Sequence, residues 1–256
     1  MTRIKSLFTR KTQRILNVYC TAGFPEKDST LSVMEALQQN GADLIELGMP
    51  YSDPLADGPV IQESSARAIN NGMTLQVLFG QLQHMRQKVN VPVILMGYMN
   101  PVLQFGFEAF CARAAEVGVD GLILPDLPMY EFETEYGPII KKYGLDMVFL
   151  VTPETKNARI KKIDELSSGF IYAVSSSSTT GSDKNMGDQS DYFKRLQLLH
   201  LQNPLLVGFG IKDKSTFDTA CEFTNGAIIG SAYIKALEHS TDVAADTKAF
   251  LQKVLQ

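Results

Sequence analysis

The sequence predicts an α/β fold, a single (β/α)8 TIM barrel with an extra N-terminal helix, formed by residues 1–256 as one domain. Two observations predict it: eight short apolar runs alternate with amphipathic helical patterns, and the 256 residues match the usual size of such a barrel. Most of the runs are continuously apolar, as is typical of parallel strands covered on both faces. A doubly wound sheet has the same alternation and stays the alternative.

The chain begins with a short helix within residues 2–11, where Ile4, Leu7 and Phe8 recur at helical spacing. Eight strands are then predicted at Asn17–Cys20, Leu44–Leu47, Val93–Met96, Gly121–Leu124, Met147–Val151, Phe170–Val174, Leu205–Val207 and Ala227–Ile229. The first helix between strands is predicted to begin at an N-cap within residues 28–30 and to run through Leu37. The later helices are predicted at Ile61–Ile69, Leu75–Val89, Phe107–Val117, Tyr130–Tyr143, Ala158–Leu166, Phe193–Leu199 and Thr216–Phe223, and the last at Val243–Leu255.

Composition and charge exclude several classes of protein. The chain has 24 basic and 28 acidic residues, a balance that argues against a nucleic-acid surface. It has no apolar run long enough to cross a membrane and no N-terminal apolar segment of signal-peptide length. Its three cysteines, Cys20, Cys111 and Cys221, are scattered and odd in number, which predicts neither a disulfide framework nor a zinc site. We therefore expect a cytoplasmic protein with no nucleic-acid or membrane partner.

The stretch Leu44–Gln62 carries carboxylates in two different settings. Glu46 lies inside an apolar strand, where a carboxylate is costly to bury unless it is paired or used. Asp53 and Asp57 lie in the proline-stiffened loop that follows, the kind of loop that often carries function. Strand spacing leaves open whether Glu46 faces the barrel interior or pairs outward with a helix lysine. Asp53 could simply cap a turn, and Asp126, after the fourth strand, could simply orient its own loop.

Glycine-rich loops follow the last predicted strands. Gly208-Phe209-Gly210-Ile211 ends the seventh strand, and Gly230-Ser231-Ala232 ends the eighth with a helix beginning at Ser231. Glycines let backbone N–H groups approach phosphate oxygens, and a helix N-terminus favours an anion. A hydroxyl-rich run follows the sixth strand from Ser175 through Gly181 to about Asp188, as expected for a lid over a ligand. Together these loops predict a phosphate site.

The sequence does not offer the residues that a metal site, a serine nucleophile or a Schiff base would need. The three histidines are far apart and offer no convergent metal ligands, and no nucleophile elbow is present. The nearest lysine for a Schiff base, Lys212, lies beyond a glycine loop and is expected to be exposed. Carboxylates therefore stay as the candidates for acid–base chemistry.

At these residues the sequence closely resembles the tryptophan synthase α subunit family. The run Glu46–Gln62 is similar to that family's signature almost without departure, and residues 93–101, 119–128 and 208–211 also match. The resemblance implies a TIM barrel that cleaves indole-3-glycerol phosphate to indole and glyceraldehyde 3-phosphate. It also implies an α2β2 heterotetramer with a β subunit whose pyridoxal phosphate converts indole and serine to tryptophan. This chain itself would need no cofactor and no metal.

The resemblance also implies residue roles. Glu46 matches the catalytic acid/base and Asp57 the second catalytic carboxylate. Substrate-binding positions, for the phosphate or the indole pocket, are Tyr19, Tyr172, Thr180, Gly181, Phe209, Gly210, Gly230 and Ser231, with Thr180 as the lid threonine that positions the aspartate. The surface facing the β subunit matches Tyr98, Asn100 and the loop 49–58.

The sequence departs from the family pattern in the lid, where Ser178-Thr179-Thr180-Gly181 replaces a glycine followed by Val-Thr-Gly, and at two further positions. Ser178 stands where a lid glycine is usual, Ser176 where a lid arginine is common, and Tyr19 where phenylalanine is frequent. The lid changes would affect closure and its coupling to the partner rather than the chemistry. Two alternatives stay open: a stand-alone lyase that releases free indole, and a mainly regulatory barrel that activates a β subunit.

Overall fold

The structure is a computed structural model that describes residues 1–174, 190–208 and 210–256. Within these ranges nine parallel strands form one sheet in the order β5-β4-β3-β2-β1-β9-β8-β7-β6. The strands are β1 Ile15–Thr21, β2 Leu44–Gly48, β3 Val93–Met96, β4 Gly121–Ile123, β5 Asp146–Met147, β6 Phe149–Val151, β7 Ile171–Val174, β8 Leu205–Gly208 and β9 Gly226–Ile229. All eight predicted runs are therefore strands, and β7, β8 and β9 are the sixth, seventh and eighth of them.

The two ends of this sheet meet at Val148. Strands β5 and β6 are separated by this one residue, and its backbone N–H donates to the carbonyl oxygen of Leu122 in β4 at 3.0 Å. Because β5 pairs with β4 and β6 pairs with β7, the sheet closes into a barrel. The TIM-barrel prediction is confirmed. The prediction of an unbroken fifth strand over Met147–Val151 is wrong, because the ladder is interrupted where the sheet closes.

Helices surround the barrel. They are α1 Arg3–Arg10, α2 Thr30–Gln39, α3 Pro59–Asn70, α4 Leu75–Leu82, α5 Met99–Phe105, α6 Phe107–Glu116, α7 Met129–Glu131, α8 Gly137–Lys142, α9 Asn157–Leu166, α10 Ser190–Leu198, α11 Lys214–Phe223, α12 Ser231–Leu237 and α13 Val243–Leu255. The predicted helix Leu75–Val89 ends early, at Leu82, and a separate 3-10 turn follows it at Met85–Gln87. Helix α5 was not predicted from the sequence.

The barrel interior has its own apolar core, distinct from the layer between strands and helices. Inward-facing side chains include Ile15, Leu44, Ile94, Ile123, Val148, Phe170, Leu206 and Ile228. Along β2, Leu44 belongs to this inner core, whereas Ile45 and Leu47 pack against the helices. Because side chains alternate along a strand, Glu46 points into the barrel.

The extra N-terminal helix closes one end of the barrel. Ile4 and Leu7 of α1 are buried in the inner core, and the ring of Phe8 lies 6.1 Å from that of Phe170. Arg3 of the same helix donates to Asp120, which precedes β4, at 2.9 Å. The N-terminal ends of the strands are therefore sealed, which leaves the C-terminal ends for a site.

The expectations about membrane-spanning segments and cysteines can be compared with the described residues. No helix in the described ranges is both long and apolar enough to cross a membrane. Cys20, Cys111 and Cys221 are all free thiols, the first two of them buried.

Candidate active site

Glu46 is a buried carboxyl group in the barrel interior. Its residue is 1% exposed, and it lies level with Tyr19 on β1 and Ile94 on β3. Burial raises its pKa to about 8; the amide of Asn17, which donates to Oε2 at 2.9 Å, acts in the opposite direction, and the charge of Asp57 raises it further. At neutral pH Glu46 is therefore mostly protonated and able to act as an acid.

Asp57 is held in the loop between β2 and α3. Its backbone N–H donates to the carbonyl oxygen of Pro54 at 3.0 Å, and Gln62 of α3 donates to the carbonyl oxygen of Asp57 at 2.8 Å. The hydroxyl of Tyr98 donates to Asp57 Oδ2 at 3.0 Å. Burial raises the pKa of Asp57 to about 6, against the lowering effect of the Tyr98 hydrogen bond. Asp57 is thus mostly ionised at neutral pH while Glu46 is mostly protonated.

A cleft opens beside these groups at the C-terminal ends of β1 to β4. The side chains that line it include Tyr19, Met49, Asp57, Met96, Tyr98 and Pro125. Glu46 lies beside Tyr19, one of these lining residues, in the sheet. An apolar slot with a few polar groups suits a flat heteroaromatic ligand.

Two tyrosines predicted to line the pocket converge on the carboxyl groups. A Cβ atom added to Gly48 would lie 2.0 Å from the Tyr19 hydroxyl, and one added to Gly208 would lie 2.3 Å from the Tyr172 hydroxyl. Each ring therefore depends on the missing side chain of a glycine at a strand end. Burial raises the pKa of both tyrosines well above its usual range, and the charges of Glu46 and Asp57 raise it further. Both hydroxyls stay protonated and uncharged.

The described part of the predicted phosphate site lies at two adjacent strand ends. Helix α12 begins at Ser231, as predicted, and Gly230 is its N-cap. Gly210 has a φ of +77°, which favours glycine, and a Cβ atom added there would meet no atom of the described residues within 4 Å. The two loops are neighbours because β8 pairs with β9. Thr180, Gly181 and Phe209, and the lid positions Ser176 and Ser178, lie outside the described residues.

The structure also gives the surroundings of three other residues that the sequence singled out. Asp53 is exposed and accepts a hydrogen bond from the neighbouring Ser52 hydroxyl. Both carboxylate oxygens of Asp126 accept from the backbone N–H of Met99 at 3.0 Å, which places Asp126 at the first turn of α5. Lys212 is exposed. Across the ranges 1–174, 190–208 and 210–256, no three acidic, histidine or cysteine side chains form a metal-binding group.

Sequence reasoning missed two contacts in the site. Asn17 was predicted as a strand residue with no further role, although a polar side chain within Ile15–Val18 carries the same signal as Glu46 in its strand. Tyr98 was assigned to a partner surface, whereas its hydroxyl also contacts Asp57. That contact joins residues 41 positions apart, and no local pattern reports it.

Comparison with known proteins identifies the family. A family model described as tryptophan synthase alpha chain matches residues 6–256. The tryptophan synthase alpha chain of Flavobacterium johnsoniae is 54% identical over 89% of this chain and 90% of its own length. That of Parabacteroides distasonis is 48% identical over 100% of both chains.

Solved structures agree. The tryptophan synthase subunit alpha of Legionella pneumophila superposes with a TM-score of 0.89 at 32% identity, covering 99% of this chain and 97% of that one. A chain of the tryptophan synthase complex of Pyrococcus furiosus superposes with a TM-score of 0.86 at 34% identity, covering 95% and 98%. The chain with the buried Glu46 and the loop-borne Asp57 therefore belongs to the tryptophan synthase alpha chain family.

Proposed function

We propose that this chain cleaves indole-3-glycerol phosphate to indole and glyceraldehyde 3-phosphate, with Glu46 as the general acid and base and Asp57 as the carboxylate at the indole nitrogen. Family membership supports the reaction. The observation that carries the residue roles is the difference between the two groups. The pKa of Glu46 is raised to about 8 and that of Asp57 to about 6, so that one is an acid and the other an anion at neutral pH.

The reaction balances with one proton on Glu46. The protonated Glu46 gives its proton to C3 of the indole ring, and the ring becomes a cation with its charge at the nitrogen. Asp57, accepting the indole N–H, stabilises this charge electrostatically. Glu46, now a carboxylate, takes the proton of the glycerol hydroxyl on the carbon attached to C3. The carbon–carbon bond breaks, its electrons return to the ring, the aldehyde forms, and Glu46 is protonated again.

The rest of the substrate has candidate contacts around the mouth. The rings of Tyr19 and Tyr172 lie over the barrel interior and suit a flat indole. Gly210, Gly230 and Ser231 lie at the adjacent ends of β8 and β9 and suit the phosphate. Thr180, Gly181 and Phe209 stay predictions from the resemblance, in which Thr180 helps to position Asp57.

The proposal extends to a partner, a β subunit with pyridoxal phosphate in an α2β2 complex. The loop 49–58 is tied to the start of α5, because the Asn100 amide donates to the Tyr51 hydroxyl at 3.0 Å and Tyr98 donates to Asp57. Leu55 on this loop is 86% exposed and Leu103 on α5 is 47% exposed. An exposed apolar surface beside a catalytic aspartate supports docking there. The free cysteines support a cytoplasmic location.

Substitution of Glu46 tests the chemistry. Glu46→Gln keeps the shape and hydrogen-bonding capacity of the side chain but cannot transfer the proton. We expect indole release from indole-3-glycerol phosphate to fall about a thousandfold, within the usual range for loss of a general acid or base. Near-full cleavage by folded Glu46→Gln protein would contradict the assignment.

An assay of indole release with and without a β subunit tests whether the chain works in a complex. Strong activation of indole release by the β subunit supports the complex, whereas full activity of the isolated chain would support a stand-alone lyase. Activation of the β subunit by a chain that cleaves nothing would support the regulatory alternative.

A further inference from the structure

Asn17 is an amide in the apolar interior of the barrel. It lies on the inward face of β1, between Ile15 and Tyr19, and it is completely buried. Its neighbours across the sheet are Leu44 on β2 and Ile228 on β9, both members of the inner core. The position is one that an apolar side chain would normally occupy.

The hydrogen bonds of Asn17 are incomplete. Its Nδ2 donates to Oε2 of Glu46 at 2.9 Å, while its Oδ1 has no hydrogen-bond partner among the described residues. A buried acceptor without a partner destabilises a fold. The amide is therefore poorly suited to a purely structural role, and its one side-chain hydrogen bond among those residues is to the proposed acid/base.

The other titratable groups of the described residues that affect or are affected by Glu46 carry no positive charge. Tyr19 and Cys20 on β1 and Tyr172 on β7 all have their pKa raised by burial, so they are uncharged at neutral pH. Asp57, in the loop after β2, is an anion that opposes a second negative charge. Burial and Asp57 both disfavour the carboxylate, whereas the hydrogen bond from the Asn17 amide favours it.

We propose that Asn17 is a positioning residue for the reaction: its amide nitrogen holds Oε2 of Glu46 and stabilises the carboxylate that exists between the two proton transfers. Oε1, which no side chain of the described residues hydrogen-bonds, is then presented to the substrate. This inference rests on the proposed role of Glu46. Asn17 does not line the cleft and acts only through Glu46.

The reaction explains why such a contact is useful. Glu46 gives a proton and takes one back in each turnover, so neither of its forms can be much more stable than the other. A general acid works best when its pKa is near the working pH. Without the amide donor, burial and Asp57 act unopposed, and Glu46 holds its proton too strongly to deliver it to carbon.

Asn17→Leu tests the inference, because leucine has nearly the same size and no donor. For the wild type we expect kcat/KM to fall as pH rises through about 8, where free Glu46 loses its proton. In Asn17→Leu this alkaline limb is expected to move up by roughly one pH unit, because the Glu46 carboxylate loses one hydrogen bond and the pKa of Glu46 rises. We expect kcat to fall several-fold with little change in KM, and Tm to be unchanged or higher.

A second measurement does not depend on activity. The side-chain carboxyl of Glu46 is followed by 13C NMR in protein labelled at glutamate, and its signal is assigned as the one absent from Glu46→Gln. We expect this signal to titrate near pH 8 in the wild type and at higher pH in Asn17→Leu. Asn17→Val removes the same donor and gives the same expectation if Asn17→Leu does not fold.

Ile228→Val is the matched control. It trims the same inner layer beside Asn17 without touching a hydrogen bond of Glu46, and we expect the alkaline limb to stay in place. An unchanged limb and an unchanged Glu46 titration in Asn17→Leu would overturn the inference, as would failure of both Asn17 variants to fold. Full cleavage by Glu46→Gln would instead overturn the proposed function, whatever the Asn17 variants show.

Discussion

Two buried carboxylates lie at opposite ends of the same barrel and have opposite surroundings. Asp120 precedes β4 at the N-terminal end, beside α1, and Glu46 lies in β2 towards the open mouth. Arg3 donates to Asp120 Oδ1 at 2.9 Å, Arg86 donates to Oδ2, and the backbone N–H of Val93 donates to Oδ2 at 2.8 Å.

No cationic side chain of the described residues affects the pKa of Glu46. Among the described residues its side-chain hydrogen bond comes from the neutral amide of Asn17, and the charge that raises its pKa is that of the anion Asp57. A carboxylate that meets two guanidinium groups forms charge-assisted hydrogen bonds, which hold the elements that carry them together. A carboxyl buried without a cation is left close to its point of protonation, as an acid–base catalyst requires.

The largest expected contrast is in stability. Asp120→Asn leaves Arg86 buried without its anion, and we expect the free energy of unfolding to fall by about 3 kcal/mol. Glu46→Gln should instead raise the free energy of unfolding relative to the wild type at high pH. The folded pKa of Glu46 is about 8 and its ordinary value is 4.5, so the folded protein binds the extra proton between these values and wild-type stability falls as pH rises through that window.

Urea unfolding at pH 5 and pH 8 measures the stability of both variants relative to the wild type. Because glutamine does not titrate, the stability of Glu46→Gln relative to the wild type should increase from pH 5 to pH 8, whereas Asp120→Asn should be less stable at both. A Glu46→Gln variant that loses relative stability at pH 8 would show that the charge of Glu46 is well compensated and that the contrast is wrong.

The next contrast is between two aspartates of one loop. Asp57 contacts Tyr98 and lines the cleft, whereas Asp53 is exposed and contacts Ser52. We expect Asp57→Asn to lower kcat for indole release about a hundredfold through loss of the charge at the indole nitrogen. Asp53→Asn, the matched control, should stay within about twofold. Equal losses in both variants would indicate that the loop as a whole, rather than Asp57, is what matters.

The smallest expected effect concerns the tuning of Asp57. The Tyr98 hydroxyl lowers the pKa of Asp57 against the effect of burial, which raises it to about 6. The wild-type rate should therefore fall as pH drops through about 6, when Asp57 becomes protonated. Tyr98→Phe removes the donor, and we expect this acidic limb of kcat/KM to move up by roughly half a pH unit.

Tyr51→Phe is the control for this variant. The Tyr51 ring lies 5.3 Å from that of Tyr98, but its hydroxyl accepts from Asn100 and forms no hydrogen bond with Asp57. Its acidic limb should not move. A shift of the same size in both variants would assign the effect to the packing of the two rings.

Much of the fold was predictable because it depends on local pattern. Each of the eight apolar runs is a strand, and α13 has the predicted bounds Val243–Leu255. Helix α5 was missed because its first turn is capped by Asp126, which is 27 positions beyond Met99. Its own sequence is only seven residues long, which is too short to show a helical period of apolar residues.

The sequence by itself determined the alternation of strands and helices, the family and the two carboxylates, because these depend on neighbouring residues and a long motif. The tertiary structure alone decided that Glu46 faces the interior: every residue of β2 is buried, so a strand covered on both faces has no polar side to reveal its orientation. It also decided that Asn17 hydrogen-bonds Glu46 and that Tyr98 hydrogen-bonds Asp57, since sheet pairing and loop packing bring together atoms that are distant in sequence. The protonation states of Glu46 and Asp57 follow from that burial and those partners.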